Sequence, residues 1–376
     1  MKMGTMKFRK ELGNLLHHAD VRINGDRPWD PQVKDEQFYT WLFAKGSLGL
    51  GESYMAGHWE CEQLDEMIAR VLRNDVSENI KRRADTFHIL KARLMNLQSR
   101  NRAYEVGEKH YDIGNDLYEK MLDRNMIYSC GYWKKAGSLE EAQENKHKLV
   151  CRKLDVQPGM KVLDIGCGWG GTARYIAEHC GAEVTGVTIS KEQAATAKEK
   201  CRDLPVHIRQ QDYRTLEEVF DRVLSIGMFE HVGYKNYRTY MRVVRRLLKD
   251  DGLFLLHTIG NNKSVNHTER WIHKYIFPNS MLPSAKQICK AAEGYFVLED
   301  WHNFGPDYDK TMVRWFENFD SNYSALLPKY DEQFYRMWRY YLLTCAGSFR
   351  ARKNQVWQII FSPKGRAEGY ERPVID

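Results

Sequence analysis

An aspartate at the end of an apolar run, followed by four glycines within six positions, is the part of this 376-residue chain best suited to chemistry. The stretch reads VLDIGCGWGG, from Val162 to Gly171. Val162, Leu163 and Ile165 form a short apolar strand pattern, and TARYIAEHC, from Thr172 to Cys180, follows as a helix. Glycine at 166 and 168 removes side chains where a ligand would lie against the peptide bonds, and it allows a positive φ in the turn. Strand, glycine-rich turn and helix is the layout of a nucleotide-type site at the carboxyl end of a strand. The same residues argue against two nucleotide chemistries. A phosphate loop for phosphoryl transfer needs lysine and then serine or threonine after the last glycine, whereas Thr172 follows Gly171 with no lysine. A dinucleotide fingerprint needs a regular GxGxxG and an acid about 20 residues on. Here the next strand ends in Thr188-Ile189-Ser190, with no acid in that place.

These residues need a scaffold, and the chain supplies one from about residue 143. The pattern alternates helix (AQENKHKLVCRKL), strand (KVLDIG), helix (TARYIAEHC), strand (EVTGVTIS) and helix (EQAATAKEKCRDL). Further strands are expected in VHIRQQD and in DRVLSIGMFEH, then a helix in YRTYMRVVRRLLK and a strand in GLFLLHTIG. YFVLEDWHNF and QVWQIIFSP add two more strands around a helical MVRWFENFDSNYSAL. Strands alternating with helices of this length predict an α/β fold, with a mainly parallel sheet covered on both faces. Upstream, residues 77–102 place Phe87, Leu90, Leu94 and Leu97 on one helical face, with Arg82, Arg93 and Arg100 along its edge. Such a helix either packs on its own domain with a solvated basic edge or lies on an anionic membrane. The polar stretch QSRNRAYEVG reads as a linker.

Composition bounds the remaining classes. The chain is 43% hydrophobic and 28% charged, as in globular proteins, and has no repeat or low-complexity tract. No run approaches the length of a membrane span, and the start MKMGTMKFRK lacks the apolar core of a signal peptide, so a cytoplasmic location is expected. The eight cysteines are scattered with no CxxC pair, which predicts free thiols and no metal site. A net charge of +7 suits an acidic partner such as an anionic lipid surface, and many soluble enzymes are this basic. There is no NPPY-type motif or second basic domain, so no nucleic-acid partner is expected.

The acids decide the ligand class. Asp164 stands before the glycine turn, and Asp212 ends the third strand in QQD. This distribution resembles the S-adenosylmethionine-dependent methyltransferases, whose turn approaches the methionine part and whose third-strand acid reaches the adenine amine. GSLGLGESYMAGHWE, GEKHYDIGNDLYEKMLDRNMIYSCGYW, VLDIGCGWGG, GVTIS, SIGMFEHVG, LFLLHTIG, KYIFPNSMLPS, EDWHNFG and CAGSFRAR together resemble the bacterial cyclopropane-fatty-acyl-phospholipid synthases. That resemblance spans nearly the whole chain, whereas the mycolic-acid methyltransferases are similar over the catalytic part only. It implies a Rossmann-like class I methyltransferase sheet with helices on both faces, plus a smaller N-terminal domain. The implied division is an N-terminal lipid-binding and assembly domain over 1–97, a linker over 98–107 and a catalytic domain over 108–376. It also implies a homodimer acting on unsaturated phospholipids, bound peripherally at the inner face of an anionic membrane.

Methylating a cis alkene needs no strong base to start, because the alkene has no proton to lose. Methyl transfer leaves a carbocation, so water must be excluded and a base must then take a proton from the new methyl to close the ring. At 12% Phe, Trp and Tyr, the chain has aromatic faces for a dry pocket that stabilises positive charge. For the base, the resemblance implies a bound bicarbonate ion, held by Cys130, Glu230, His257, the Ile259 backbone and Tyr308. On residues alone, Glu230 could equally cap a helix start, His257 could be a core histidine, Tyr308 packing and Cys130 a buried thiol. Within the resemblance, Glu230 either holds the bicarbonate hydroxyl or orients His257. Cys345 is the family's candidate nucleophile, although alkene methylation gives no chemical need for a covalent thiol intermediate, and packing is the other role open to it. For S-adenosylmethionine the resemblance implies Tyr128, Ser129, Leu163, Asp164, Ile165, Gly166, Cys167, Gly168, Gly170, Thr188, Ile189, Ser190, Gln193, Asp212 and Tyr213. Hydroxyls at 188 and 190, with Gln193, then replace the usual ribose-binding acid. Cys167 reads as a small filler, and Trp169 as core or as pocket wall. Two alternatives stay open: a related lipid methyltransferase giving a branched or hydroxylated chain, and a non-catalytic lipid-binding protein.

Overall fold

The apolar runs VLDI, VLSI and LFLLHTI have no polar face, so each must be covered on both sides. In the computed structural model, which describes residues 2–75, 113–327 and 329–375, they form the centre of one seven-stranded sheet. In chain order the first elements are α1 (Lys2–His18), β1 (Gln32–Val33), α2 (Gln37–Lys45), α3 (Ser47–Met55), β2 (Trp59–Glu60) and α4 (Leu64–Arg73). Next come α5 (Asn115–Met121), α6 (Leu139–Lys153), β3 (Lys161–Ile165), α7 (Gly171–Cys180), β4 (Glu183–Thr188), α8 (Lys191–Lys200) and β5 (Val206–Gln210). They are followed by β6 (Phe220–Ile226), α9 (Tyr237–Leu247), β7 (Leu248–Asn261), α10 (Arg270–Tyr275) and α11 (Ala285–Ala292). The last are β8 (Val297–Asn303), α12 (Pro306–Leu326), α13 (Glu332–Arg350) and β9 (Asn354–Ser362).

Two compact units share these elements, and neither is continuous in sequence. The first takes Met1–Met95, Asn266–Pro278 and Tyr308–Asn354; the second takes Asn96–Val265, Asn279–Asp307 and Gln355–Asp376. The amphipathic stretch 77–102 with its three arginines, the linker 98–107 and the boundary at 97 all lie outside the described residues.

The second unit carries the sheet, with strand order β5-β4-β3-β6-β7-β9-β8. β3 pairs in parallel with both β4 and β6, β4 with β5, and β6 with β7, while β8 runs antiparallel to β9. The α/β fold expected from the alternation is therefore present. Neighbouring residues of β3 serve opposite layers. Val162 packs with Val150, Ala173 and Ile176, whereas Leu163 and Ile165 pack with Tyr240, Met241 and Val244. The chain leaves β3 between β4 and β6, where the strand order reverses, and a crevice opens at such a switch point.

One expected strand is shorter than the pattern suggested. The pattern of DRVLSIGMFEH predicts a single strand, but β6 stops at Ile226 and Phe229–His231 form one 3-10 turn. Gly227 turns the chain at φ +67°, and its N–H donates to the His257 carbonyl at 3.0 Å. This turn removes Glu230 from the strand.

In the first unit, α4 packs on α13, and α3 on α2 and α13. Arg350 ties it together, reaching Asp65 at 2.5 Å, Glu66 at 3.1 Å and Asp309 at 3.0 Å. No helix among the described residues is long and apolar enough to cross a membrane.

Candidate active site

The crevice at the carboxyl ends of β3 and β4 is a cavity within the second unit. Tyr128, Ser129, Asp164, Ile165, Gly166, Cys167, Gly168, Thr188, Ile189, Gln193, Asp212 and Tyr213 line it, joined by Trp169, Arg214, Met228 and His231 among others. Leu163, Gly170 and Ser190, also expected at the cofactor, are outside this lining. Leu163 is fully buried in the sheet, Gly170 precedes α7, and Ser190 caps α8 by accepting from the Gln193 N–H at 3.3 Å.

The glycines behave as their spacing requires. Gly166 and Gly168 have φ of +83° and +55°, values that other residues rarely adopt. A Cβ on Gly168 would meet nothing within 4 Å, so bare backbone faces open space there. Trp169 serves both roles left open for it. Its ring packs on Tyr118 at 4.9 Å, its Nε1 donates to Asn115 at 2.9 Å, and it lines the cavity.

Asp164 is 2% exposed, and its Oδ2 has no hydrogen-bond partner among the described residues. Burial pushes its carboxyl up to about 7, with Lys146 pulling the other way. An orphaned carboxylate oxygen in a lined cavity suits an ammonium group, which fits the amino-acid end of S-adenosylmethionine. Asp212, in contrast, is held by its own neighbour: Arg214 spans its two oxygens at 2.6–3.1 Å, and the Arg214 N–H adds a bond at 2.9 Å. In place of an acid at the end of β4, the Thr188 hydroxyl donates to the Gln193 Oε1 at 3.0 Å. These groups fit a ribose and an adenine edge.

The segment carrying Tyr128, Ser129 and Cys130 is held by residues that sequence reasoning missed. Asp123 accepts from the N–H groups of Asn125 and Ile127 at 2.9 and 2.8 Å, which forms the turn before it. One turn apart on α6, Gln143 donates to the Ser129 carbonyl at 2.9 Å, and Lys146 donates to the Ser129 hydroxyl at 2.8 Å and to Gln143 Oε1 at 2.7 Å. Both side chains are fully buried, and burial pushes the Lys146 ammonium down to about 7. AQENKHKLVCRKL reads as a helix, and its many charged residues do not mark these two as buried. The only signal was their i, i+3 spacing beside the helix's sparse apolar residues.

A second group of expected residues meets where β6 and β7 end. The pairing of Ile226 with His257 sets the turn after β6 against β7. Glu230, on that turn, accepts from the Ile259 N–H through Oε1 at 2.6 Å, while its Oε2 is buried without a partner among the described residues. Burial pushes its carboxyl up to about 7 against the pull of that N–H. The turn has no side-chain cap, so Glu230 is not a helix cap. Nor does it orient His257: the side-chain partner of His257 is Gln358 on β9, at 3.3 Å. Burial holds His257 neutral, helped by the charges of Lys146 and Lys153. Phe304 stands edge-on to the His257 ring at 5.6 Å and Tyr132 edge-on to Phe304 at 5.6 Å, so aromatic rings pack on that side of the imidazole. The Cys130 thiol is fully buried and donates to the Gly131 carbonyl at 3.2 Å. A proton-bearing anion fits this group, since it can offer a hydroxyl to a carboxylate and oxygens to an imidazole N–H.

Tyr308 and Cys345 belong to the first unit. Tyr308 is buried, tilted over Phe349 at 4.7 Å and edge-on to Trp315 at 5.8 Å. Burial pushes the Cys345 thiol up to about 12, which keeps it protonated and a weak nucleophile near neutral pH.

Comparison with known proteins extends this geometry. The family model for mycolic acid cyclopropane synthetase matches residues 98–359. The chain is 53% identical over 349 residues to the cyclopropane-fatty-acyl-phospholipid synthase of Escherichia coli (strain K12), covering 93% of this chain and 91% of that protein. Among solved structures, the cyclopropane synthase MmaA2 from Mycobacterium tuberculosis superposes with a TM-score of 0.65 at 30% identity, over 69% of this chain and 97% of that one. The mycolic acid cyclopropane synthase CmaA1, complexed with SAH and CTAB, gives a TM-score of 0.65 at 31% identity with the same coverage.

Proposed function

The chain belongs to the mycolic acid cyclopropane synthetase family, and from that premise we propose that it converts the cis double bonds of unsaturated phospholipid acyl chains into cyclopropane rings. It is an S-adenosylmethionine-dependent methyltransferase with the class I sheet. Bound at the β3–β4 crevice, S-adenosylmethionine supplies an electrophilic methyl group on a sulfonium. The glycine turn gives it bare backbone, Asp164 meets its ammonium, Thr188 and Gln193 take the ribose, and Asp212 the adenine. Ser129 is held by Lys146 and Gln143, so Tyr128 and Cys130 are fixed on either side of it.

The observation that carries the reading is the buried Glu230–Ile259 pair beside a neutral His257. Bicarbonate in this group supplies the base for ring closure. Glu230 would hold its hydroxyl proton through the orphaned Oε2, His257 would donate to it, and Cys130 would complete the shell within this unit. Phe304 and Tyr132 exclude water, so a cation on the acyl chain loses a proton rather than gaining a hydroxyl. That dry wall favours ring closure over a hydroxylated product. The chain works as a homodimer on the cytoplasmic face of the membrane, and its net charge of +7 supports an anionic lipid surface as the partner there.

Glu230→Gln tests the assignment. The variant is expected to lose at least about 100-fold in turnover, as for a group acting directly in proton transfer, while S-adenosylmethionine binding is unchanged by calorimetry. Retained turnover would remove Glu230 from the reaction.

A further inference from the structure

Gln358 is a polar side chain with no local reason for its position. It is fully buried in the middle of β9, and Val356, Trp357, Ile359, Ile360 and Phe361 around it are all buried and apolar. Its Oε1 is buried without a partner among the described residues, and its Nε2 meets His257 Nδ1 at 3.3 Å. An amide with part of its hydrogen-bonding capacity unmet carries a cost that an apolar residue of the same size would not. Packing therefore does not explain it, whereas the contact with His257 does.

A neutral imidazole carries one proton, on Nδ1 or on Nε2, and the bond made by one nitrogen decides the state of the other. The groups around this ring leave the choice to Gln358. Phe304 presents only a ring edge, Lys146 and Lys153 oppose a second proton, and only Oε1 of Glu230 is taken up, by the Ile259 N–H. With the amide N–H donating to Nδ1, the proton must sit on Nε2.

We infer that Gln358 is a positioning residue that fixes His257 as the Nε2–H tautomer, so that the ring offers a donor to an oxyanion in the site. The nature of that anion rests on the function proposed above; the tautomer does not. If the amide were turned round, its Oε1 would accept from Nδ1–H and leave Nε2 as a lone pair facing the anion, which would repel it.

The test is nitrogen-15 NMR of the full-length protein labelled at histidine, with His257 assigned from the signal lost in His257→Asn. The expected parent spectrum has His257 Nε2 protonated and Nδ1 unprotonated but shifted by an accepted hydrogen bond. In Gln358→Met, an apolar replacement of similar volume, Nδ1 is expected to move to the position of an unbonded ring nitrogen. The bicarbonate concentration for half-maximal rate should rise about 10-fold, the loss of one well-placed donor, while S-adenosylmethionine affinity stays the same. A proton on Nδ1 in the parent, or an Nδ1 signal unmoved in Gln358→Met, would overturn the inference. The expected Nδ1 shift with no response of ring or rate to bicarbonate would support the role of Gln358 and overturn the bicarbonate reading instead.

Discussion

Asp164→Asn separates what the glycine-turn acid costs the fold from what it gives the ligand. The Asp164 carboxyl is pushed from 3.8 to about 7 by burial, with Oδ2 unpartnered among the described residues. At 1.36 kcal/mol per unit, that displacement corresponds to about 4 kcal/mol. For the sign, a raised carboxyl keeps its proton in the folded state after the unfolded chain has lost it. Stability therefore falls with rising pH from about 4 to about 7 and stays low above that. Asparagine carries no such charge, so the variant should gain on the parent as pH rises, by about 3 kcal/mol between about pH 5 and about pH 8. Thermal melts of parent and variant across that range, without ligand, read the difference directly and cancel the other titrating groups. Ligand binding should move the opposite way. Losing a hydrogen bond to a charged group is worth about 1.5–3 kcal/mol, so S-adenosylmethionine should bind about 10- to 100-fold more weakly by calorimetry. A pH-independent difference in melting would refute the burial argument. Unchanged affinity would refute the assignment of Oδ2 to the ligand's ammonium.

Three further outcomes follow from the same site. Glu230 is pushed up to about 7 and keeps its proton below that, so turnover should rise with pH through about 7; this limb should be absent from the residual rate of Glu230→Gln. Lys146→Met leaves the Ser129 hydroxyl and Gln143 Oε1 without their shared donor, so the Ser129 segment should loosen and S-adenosylmethionine should bind more weakly by calorimetry. With its thiol held protonated, Cys345 has no nucleophilic part to play, and Cys345→Ser should turn over within about two-fold of the parent in the vesicle assay.

The strands were legible because burial on both faces leaves runs such as VLDI and LFLLHTI with no polar side, and the turn because Gly166 and Gly168 need φ values that few residues allow. What could not be read lies in long-range pairing. Glu230 meets Ile259 only because β6 and β7 pair with Ile226 opposite His257, and nothing in MFEHVG shows that register. Gln358 looks like a flaw in an apolar strand until β9 lies beside β7 and a histidine 101 residues away meets it. Lys146 was hidden for the opposite reason. Its helix is so rich in charge that a buried lysine resembles an exposed one, and only the Ser129 loop packed over it shows the difference. The units were masked by discontinuity, since residues 266–278 and 308–354 join the N-terminal part by contacts that sequence order does not reveal.

The most direct test of the central claim is the acyl product itself. Purified protein is mixed with methyl-labelled S-adenosylmethionine, bicarbonate and anionic phospholipid vesicles carrying cis-unsaturated chains, and the labelled chains are identified by mass spectrometry. The expected product is one CH2 heavier, with the double bond replaced by a ring. A methyl branch, an added hydroxyl, or no label in lipid despite measured cofactor binding would contradict it.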